Sequence, residues 1–558
     1  MKRVGSVALV SVLTGVGVVG VIGGSSGSVS AAYAGPPATG PALAIDSRYD
    51  RHAISPDIYG WNFAPAAVIK DLGLTVDRWG GDDTVTYNWQ NDRYNNAANY
   101  YWENNYGTTS SDKFPLFLAK DRSNAAHPRT LLTLPTLGYV SGTQVPGDQD
   151  DCSFPRSKYP NQQEFDQYRT NCGNGRAPDG SPLTSPNPAT IARPVDASFD
   201  KGWVQSLYNT YGSALHGGVG FYALDNEPGI WSDTHRDIHP DPENYDELTS
   251  KDIPVAQAVK QVDPTAKVLG PSGWGFYEMI YSGLDAANYA AGSQTLEASS
   301  HGNLTHGQWF LSQMKQASDS AGHRLLDYFD EHLYPQANGV ALSKAGNAQT
   351  QALRLRQTRV LWDPKYQDES WQKDLGLGPL QMIRRMKSWV KTYFPGTKTA
   401  ITEYNFGAME SINGALAQAD VLGIFAREGL DLANVWDGPQ TNQPGYNAFR
   451  LYRNYDGHGA KFGESYLRST SADQGKLAVY SAARSADKRV TVMVLNKTGA
   501  AITSAMTVNG FTAHAPQRYQ YSGRDVRKIY NVTNSSDAVI GGKLTATYPA
   551  NSITLWII

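Results

Sequence analysis

Two carboxylates carry the first signal. In Ala223-Leu224-Asp225-Asn226-Glu227-Pro228 an apolar run stops on Glu227, and Thr399-Ala400-Ile401-Thr402-Glu403-Tyr404-Asn405 repeats the pattern at Glu403. In a (β/α)8 barrel, side chains at strand C-termini gather at one face, so two such glutamates can meet across one cleft. A pair of carboxyls in unequal environments is what acid-assisted cleavage of a glycosidic bond requires. Asn226, next to Glu227, is placed to hydrogen-bond a sugar 2-hydroxyl, a contact that strengthens in the transition state. The plainer readings are a strand-terminal acid opening the turn before Pro228 and a structural ion pair for either glutamate. Retention needs the carboxyls about 5–5.5 Å apart and inversion about 6.5–9.5 Å, a gap the sequence leaves open.

Other strand ends offer lining for such a cleft. Arg78-Trp79-Gly80-Gly81, Glu331-His332-Leu333-Tyr334 and Val435-Trp436-Asp437 each close an apolar run. Trp79, Trp231 and Trp436 are candidate sugar platforms, with core packing the alternative for each. His332 and Tyr334 are candidate substrate contacts, and Tyr334 is positioned to hydrogen-bond the nucleophile. His235 and His239 have the spacing of a helical metal pair, but Arg236 stands where a zinc hydrolase of that pattern needs glutamate. A metal-dependent hydrolase using those histidines, and a non-catalytic glycan-binding protein, are therefore the rival readings. Asp148, Asp150 and Asp151 cluster in one loop, and Glu103 lies in a polar aromatic segment. Such acids suit calcium, or are simply solvated.

Strand-like runs at 58–63, 74–80, 130–137, 220–227, 267–271, 326–334, 398–405 and 433–437 alternate with amphipathic stretches such as 202–215, 306–321 and 379–393. Eight alternations predict a (β/α)8 barrel over residues 56–449. A doubly wound sheet is the rival, but no glycine-rich phosphate loop follows the first strand. Short alternating runs from residue 450 to 558 predict a β-sandwich, and residues 35–55 have the character to pair with it. The loop from 139 to 200 is too long to be a plain connection and is expected to form a wall of the cleft.

Charged residues are only 18% of the chain, whereas it holds 13 Trp and 32 Tyr, which suits a neutral, ring-stacking ligand. The formal charge of −3 and the lack of basic blocks argue against nucleic acid. Lys2 and Arg3, the apolar run to Gly24 and Ala32-Tyr33-Ala34 predict a cleaved export signal over residues 1–34. The exported chain is expected to be extracellular, free of the membrane and monomeric. A membrane anchor is the competing interpretation of that run. In an oxidising compartment Cys152 and Cys172 are expected to form a disulfide, with two free thiols the alternative.

Several of these motifs together are specific. Arg78-Trp79-Gly80-Gly81 with Tyr87-Asn88-Trp89, Leu224-Asp225-Asn226-Glu227-Pro228 with Trp231 and Thr234-His235, Arg324 through Tyr328 with His332 and Tyr334-Pro335, and Thr402-Glu403-Tyr404-Asn405 resemble glycoside hydrolase family 44. The resemblance implies an endo-acting β-1,4-glucanase or xyloglucanase built as a barrel plus β-sandwich and working with retention. It gives Glu227 the acid/base role and Glu403 the nucleophile role. It requires no cofactor for the chemistry and implies a structural calcium near the cleft, for which Glu103, Asp148 and Asp150 are the candidate ligands.

Overall fold

The computed structural model describes residues 38–142, 150–293 and 295–558. The export signal expected over residues 1–34 and the candidate ligand Asp148 lie outside them. Among the described residues no helix is long and apolar enough to cross a membrane.

Eight parallel strands close into a barrel: β1 Gly60–Asn62, β2 Val76–Trp79, β3 Arg129–Leu134, β4 Phe221–Leu224, β5 Lys267–Gly273, β6 Tyr328–Glu331, β7 Lys398–Tyr404 and β8 Leu432–Val435. Most of their residues are buried, because a barrel strand faces packed side chains inside and helices outside. Val76, Leu131, Phe221, Ala223, Leu269, Tyr328, Ala400 and Leu432 fill the interior. Helices Ala197–Tyr211, Tyr245–Val262, His306–Ala321, Met382–Tyr393 and Ile412–Glu428 are among those that cover the outside. The helix His306–Ala321 starts with a capping box, Thr305 with Gln308, and ends on Gly322 in the left-handed region.

Eleven further strands form one sheet, apart from two small two-stranded ribbons in the barrel's connections. Leu43–Asp46 pairs antiparallel with Ser465–Ser471 and parallel with Ile502–Asn509, so the N-terminal segment is woven into the C-terminal sheet. Alternation is clean in Ile502–Asn509 and Lys543–Tyr548, whose outer faces meet solvent. The helix Ile412–Glu428 is buried along most of its length because it lies between barrel and sheet. There Gly423 meets the ring of Tyr480 so closely that a Cβ would fall 2.3 Å from it.

Two long connections shape the rim. The one after β3 is anchored by the pairing of Tyr139–Ser141 with Ala192–Pro194 and by a disulfide between Cys152 and Cys172. The one after β6 carries helix Ala348–Gln357 and the short turn Trp371–Leu375.

Candidate active site

The carboxyl ends of β2, β4, β6 and β7 bring one charged cluster together. Glu403, the penultimate residue of β7, accepts from Arg78 Nη1 at 2.6 Å and from Tyr334 Oη at 2.7 Å. His332 Nδ1 lies 2.8 Å from Glu227 Oε1 and 3.6 Å from Glu403 Oε2, so the imidazole bridges the two carboxylates. One ligand-type atom from each of Glu227, His332 and Glu403 lies within 4.8 Å of the others.

The local sequence explains how β4 presents Glu227. Asp225 Oδ1 accepts the Asn226 N–H at 2.8 Å and Oδ2 the Leu137 N–H at 2.7 Å, fixing a turn in which Asp225 and Glu227 have φ of 58° and 47°. Left-handed backbone at non-glycine residues is costly, and such strain clusters at functional sites. The Glu227 N–H donates to the Ser272 carbonyl at 2.9 Å, tying the turn to β5. Glu278 holds it from behind, accepting the N–H groups of Gly229 at 3.0 Å and Trp274 at 2.7 Å.

Arg78 organises the floor. Its guanidinium also donates to Asn62 Oδ1 at 2.9 Å and, through Nη2, to Asn226 Oδ1 at 3.0 Å. Gly80 is required there, since a Cβ would sit 2.4 Å from the Arg78 Cζ. Asn226 in turn donates to Asp82 Oδ1 at 3.0 Å. Burial, reinforced by the charge of Glu227, pushes the Asp82 carboxyl up to about 8. Burial also pushes against ionisation of Glu403, but His332, Arg78 and the Tyr334 hydroxyl outweigh it and hold the carboxyl below its ordinary value. Burial opposes the His332 charge too, yet Glu403 and Glu227 raise its pKa. The arrangement keeps Glu403 ionised and aimed, with Glu227 beside it and more open: their side chains are 6% and 14% exposed.

The tryptophans divide. Trp79 and Trp231, expected as sugar platforms, are core residues at 1% and 0% exposure. Strand residues alternate sides: Arg78 enters the site, so Trp79 turns outward to pack edge-on against Tyr87, Phe114 and Trp203. Trp231 packs in an apolar cluster with Val85, Leu137, Ile191 and Ile238, and its indole N–H donates to the Asn226 carbonyl at 3.1 Å. Trp436 stays half-buried at the rim, edge-on to Phe63 and against Gly81. A second aromatic group, Trp274, Tyr277 and Trp371, stands half-buried beyond β5, with centroids 5.8 and 5.5 Å apart around Tyr277. The sequence reading did not select it, because Trp274 follows a glycine-proline-serine segment, Gly270-Pro271-Ser272-Gly273, that resembles a loop. Asn62, Asp82 and Glu278 were missed as site residues, and Arg78 was read only as part of a strand end lining the cleft. Only for Arg78 was a signal present, its place beside Trp79 at a strand end.

Among the described residues, the metal candidates do not come together in one close group. His239 Nε2 is held by Glu247 at 2.7 Å, while both ring nitrogens of His235 are buried without a hydrogen-bond partner. Burial drives the His235 pKa down to about 3. Among the described residues, the close grouping of three histidine or acid ligands is Glu227, His332 and Glu403; it includes neither histidine of that pair, nor Glu103, nor Asp150. Glu103 Oε2 instead faces Arg169 Nη1 at 3.6 Å, and Asp151 Oδ2 accepts from Arg93 Nη2 at 2.7 Å. Glu103 Oε1 is buried without a hydrogen-bond partner and burial pushes the carboxyl up to about 7, so Glu103 keeps an oxygen of the kind a hard cation takes.

Comparison with known proteins agrees with this geometry. The model of glycoside hydrolase family 44 matches residues 93–337. Endoglucanase A of Paenibacillus lautus is 32% identical over 88% of this chain and 69% of its own length. The crystal structure of a bifunctional glucanase-xylanase protein from a metagenome library is 37% identical, with a TM-score of 0.88 over 93% of this chain and 99% of that one. A Paenibacillus polymyxa xyloglucanase of family 44 superposes with a TM-score of 0.74 at 27% identity, covering 93% and 99%. The chain belongs to glycoside hydrolase family 44, and it is a glycan-cleaving enzyme whose barrel carries Glu227 and Glu403 at one rim.

Proposed function

We propose that this enzyme is an exported endo-β-1,4-glucanase that cleaves cellulose-type glucan or xyloglucan with retention of configuration. The observation that carries the reading is the approach of Glu227 and Glu403 to within 4.8 Å, short of the gap an inverting water needs. Glu227 protonates the leaving oxygen while Glu403 attacks the anomeric carbon, and Glu227 then takes a proton from the water that releases the glycosyl ester. Arg78 and Tyr334 keep Glu403 charged and oriented. His332 compensates whichever carboxylate is ionised as the proton moves. Asn226, held by Arg78 and Asp82, meets the 2-hydroxyl. Trp436 on one side and the Trp274–Tyr277–Trp371 group on the other supply faces for flanking sugars. No step passes through a metal or an organic cofactor. Export is supported by the tripartite pattern in residues 1–34 and by the disulfide.

The names of the relatives put β-1,4-glucans and xyloglucan first and make xylan the third substrate to assay. The mechanism is tested with Glu227→Ala. A natural glucan, whose alkoxide leaving group must be protonated, should react very slowly, whereas an aryl glycoside should give a burst of phenol and stall. Azide should restore turnover and yield a β-glycosyl azide. An α-azide contradicts retention, and equal slowing on both substrates without azide rescue removes Glu227 from the acid/base role.

A further inference from the structure

Glu278 lies on the short helix Phe276–Ile280 and is 1% exposed. Its Oε2 accepts the Trp274 N–H at 2.7 Å, much as a capping-box glutamate turns back on the start of its own helix. One oxygen is enough for that local task. The other, Oε1, accepts the N–H of Gly229, 49 positions earlier and two residues beyond Glu227, at 3.0 Å. Glycine is needed at 229, since a Cβ there would fall 2.8 Å from the Glu278 Cδ. With the Glu227–Ser272 main-chain bond at 2.9 Å, the Gly229 contact fastens the turn on both sides of Pro228. One carboxyl group thus joins the turn that carries Glu227 to the first residue of the Trp274–Tyr277–Trp371 group.

The residue is itself held from behind. His306 Nδ1 lies 3.0 Å from the Glu278 carbonyl oxygen, and its Nε2 lies 3.1 Å from Glu243 Oε1. A carbonyl and an ionised carboxylate only accept, so both ring nitrogens donate and the imidazole is charged. Burial opposes that charge, but Glu243 and Glu278 outweigh it and raise the His306 pKa to about 9. Glu243 Oε2 accepts the Gly283 N–H at 3.1 Å, and a Cβ on Gly283 would fall 2.8 Å from the Gly229 carbonyl oxygen. The contacts therefore form a ring, from Glu278 through His306, Glu243 and Gly283 back to Gly229, and its three charged members are each 1% exposed. With Glu227 as acid/base and Trp274 as a sugar face, we propose that Glu278 is a positioning residue that holds the two in fixed relation. A glucan chain seated on the aromatic group then brings its glycosidic oxygen to the Glu227 carboxyl.

The test uses the intact enzyme and Glu278→Gln, whose amide accepts from one of the two N–H groups and turns an NH2 toward the other. On a natural glucan kcat should fall about 10²-fold, the scale of a 1 Å misplacement, and KM should rise as Trp274 is released. On an aryl glycoside with a good leaving group the phenol burst should keep its rate. Its steady state should slow, and azide should restore it. Adding Glu278→Gln to Glu227→Ala should cost glucan turnover nothing further, because both changes act through one carboxyl. Should Glu278→Gln fail to fold, Glu278→Asp, charged but one methylene short, is read for the same split between substrates. A merely structural role would instead lower Tm and slow both substrates alike without azide rescue. That result, unchanged glucan turnover, or a further loss in the double variant overturns the proposal. Failure of Glu227 as acid/base shows separately, in Glu227→Ala alone, as equal slowing on both substrates without azide rescue.

Discussion

Arg78–Glu403 at the barrel rim and Lys497–Asp420 at the junction between barrel and β-sheet are both buried ion pairs, with N–O distances of 2.6 Å each. They are completed in opposite ways. Asp420 accepts from Lys497, Tyr480 and Thr358, which come from both the sheet and the barrel, and its neighbours close over it. Glu403 has Arg78 and Tyr334, but Arg78 Nε and His332 Nε2 are left without partners. A buried pair in a closed shell joins two bodies. One whose shell is left incomplete and faces a cleft holds a charge ready for a substrate to use. The cost of desolvation is similar in both, so the difference lies in who supplies the remaining contacts.

Replacing the acid of each pair should separate the two roles. Glu403→Gln should lower kcat by at least about 10³-fold, because an amide cannot form the glycosyl ester. Glycan binding, measured by calorimetry, should persist. More than a tenth of wild-type kcat would remove Glu403 from the nucleophile role. Asp420→Ala should leave kcat measured well below the melting range almost unchanged. It should cost about 3 kcal/mol of stability, because Lys497 is left buried and unpaired. A loss of kcat with unchanged denaturant midpoint would break the comparison.

Smaller effects sharpen it. His332 carries a raised pKa and is one of the charges that keep the Glu403 carboxyl low. His332→Gln removes that positive charge, so the Glu403 pKa should rise. The acidic limb of kcat/KM should then move to higher pH by about one unit, the scale of a single nearby charge. No shift, or a shift downward, would mean that Arg78 and Tyr334 alone set that charge. Trp436→Ala should raise KM for polymeric glucan by about fivefold, corresponding to roughly 1 kcal/mol of stacking, with kcat for a short aryl glycoside little changed. An unaltered KM would return Trp436 to a packing role beside Gly81.

The eight barrel strands were legible because each is a short apolar run bounded by turn residues. The helix His306–Ala321 was legible in full because its caps are local. Ser465–Ser471 is less legible: its first half pairs with nearby Leu477–Arg484, but Arg468–Ser471 pairs with Leu43–Asp46, more than 400 positions away. The site shows the same limit. Both glutamates end their runs in plain view, but Arg78 and Trp79 are adjacent, and nothing local says which of them faces the barrel interior. Arg169 sits in a polar loop like many arginines, and the carbonyl oxygens that accept from it come from residues about 65 and 18 positions earlier.

What the sequence determined by itself is what depends on near neighbours: the order and kind of the barrel elements, the end of β4 at Asn226-Glu227-Pro228, and the end of β7 at Glu403. What only the tertiary structure decided is which side chains share a space. It placed His332 between two carboxylates, put Trp79 and Trp231 in the core, and set a guanidinium against one oxygen of Glu103. The physical reason is range. Hydrophobic periodicity and capping act over a few residues and are written in the order of the chain. Electrostatic and packing contacts depend on distance in space, and closing the barrel brings together strand ends that the chain holds hundreds of residues apart.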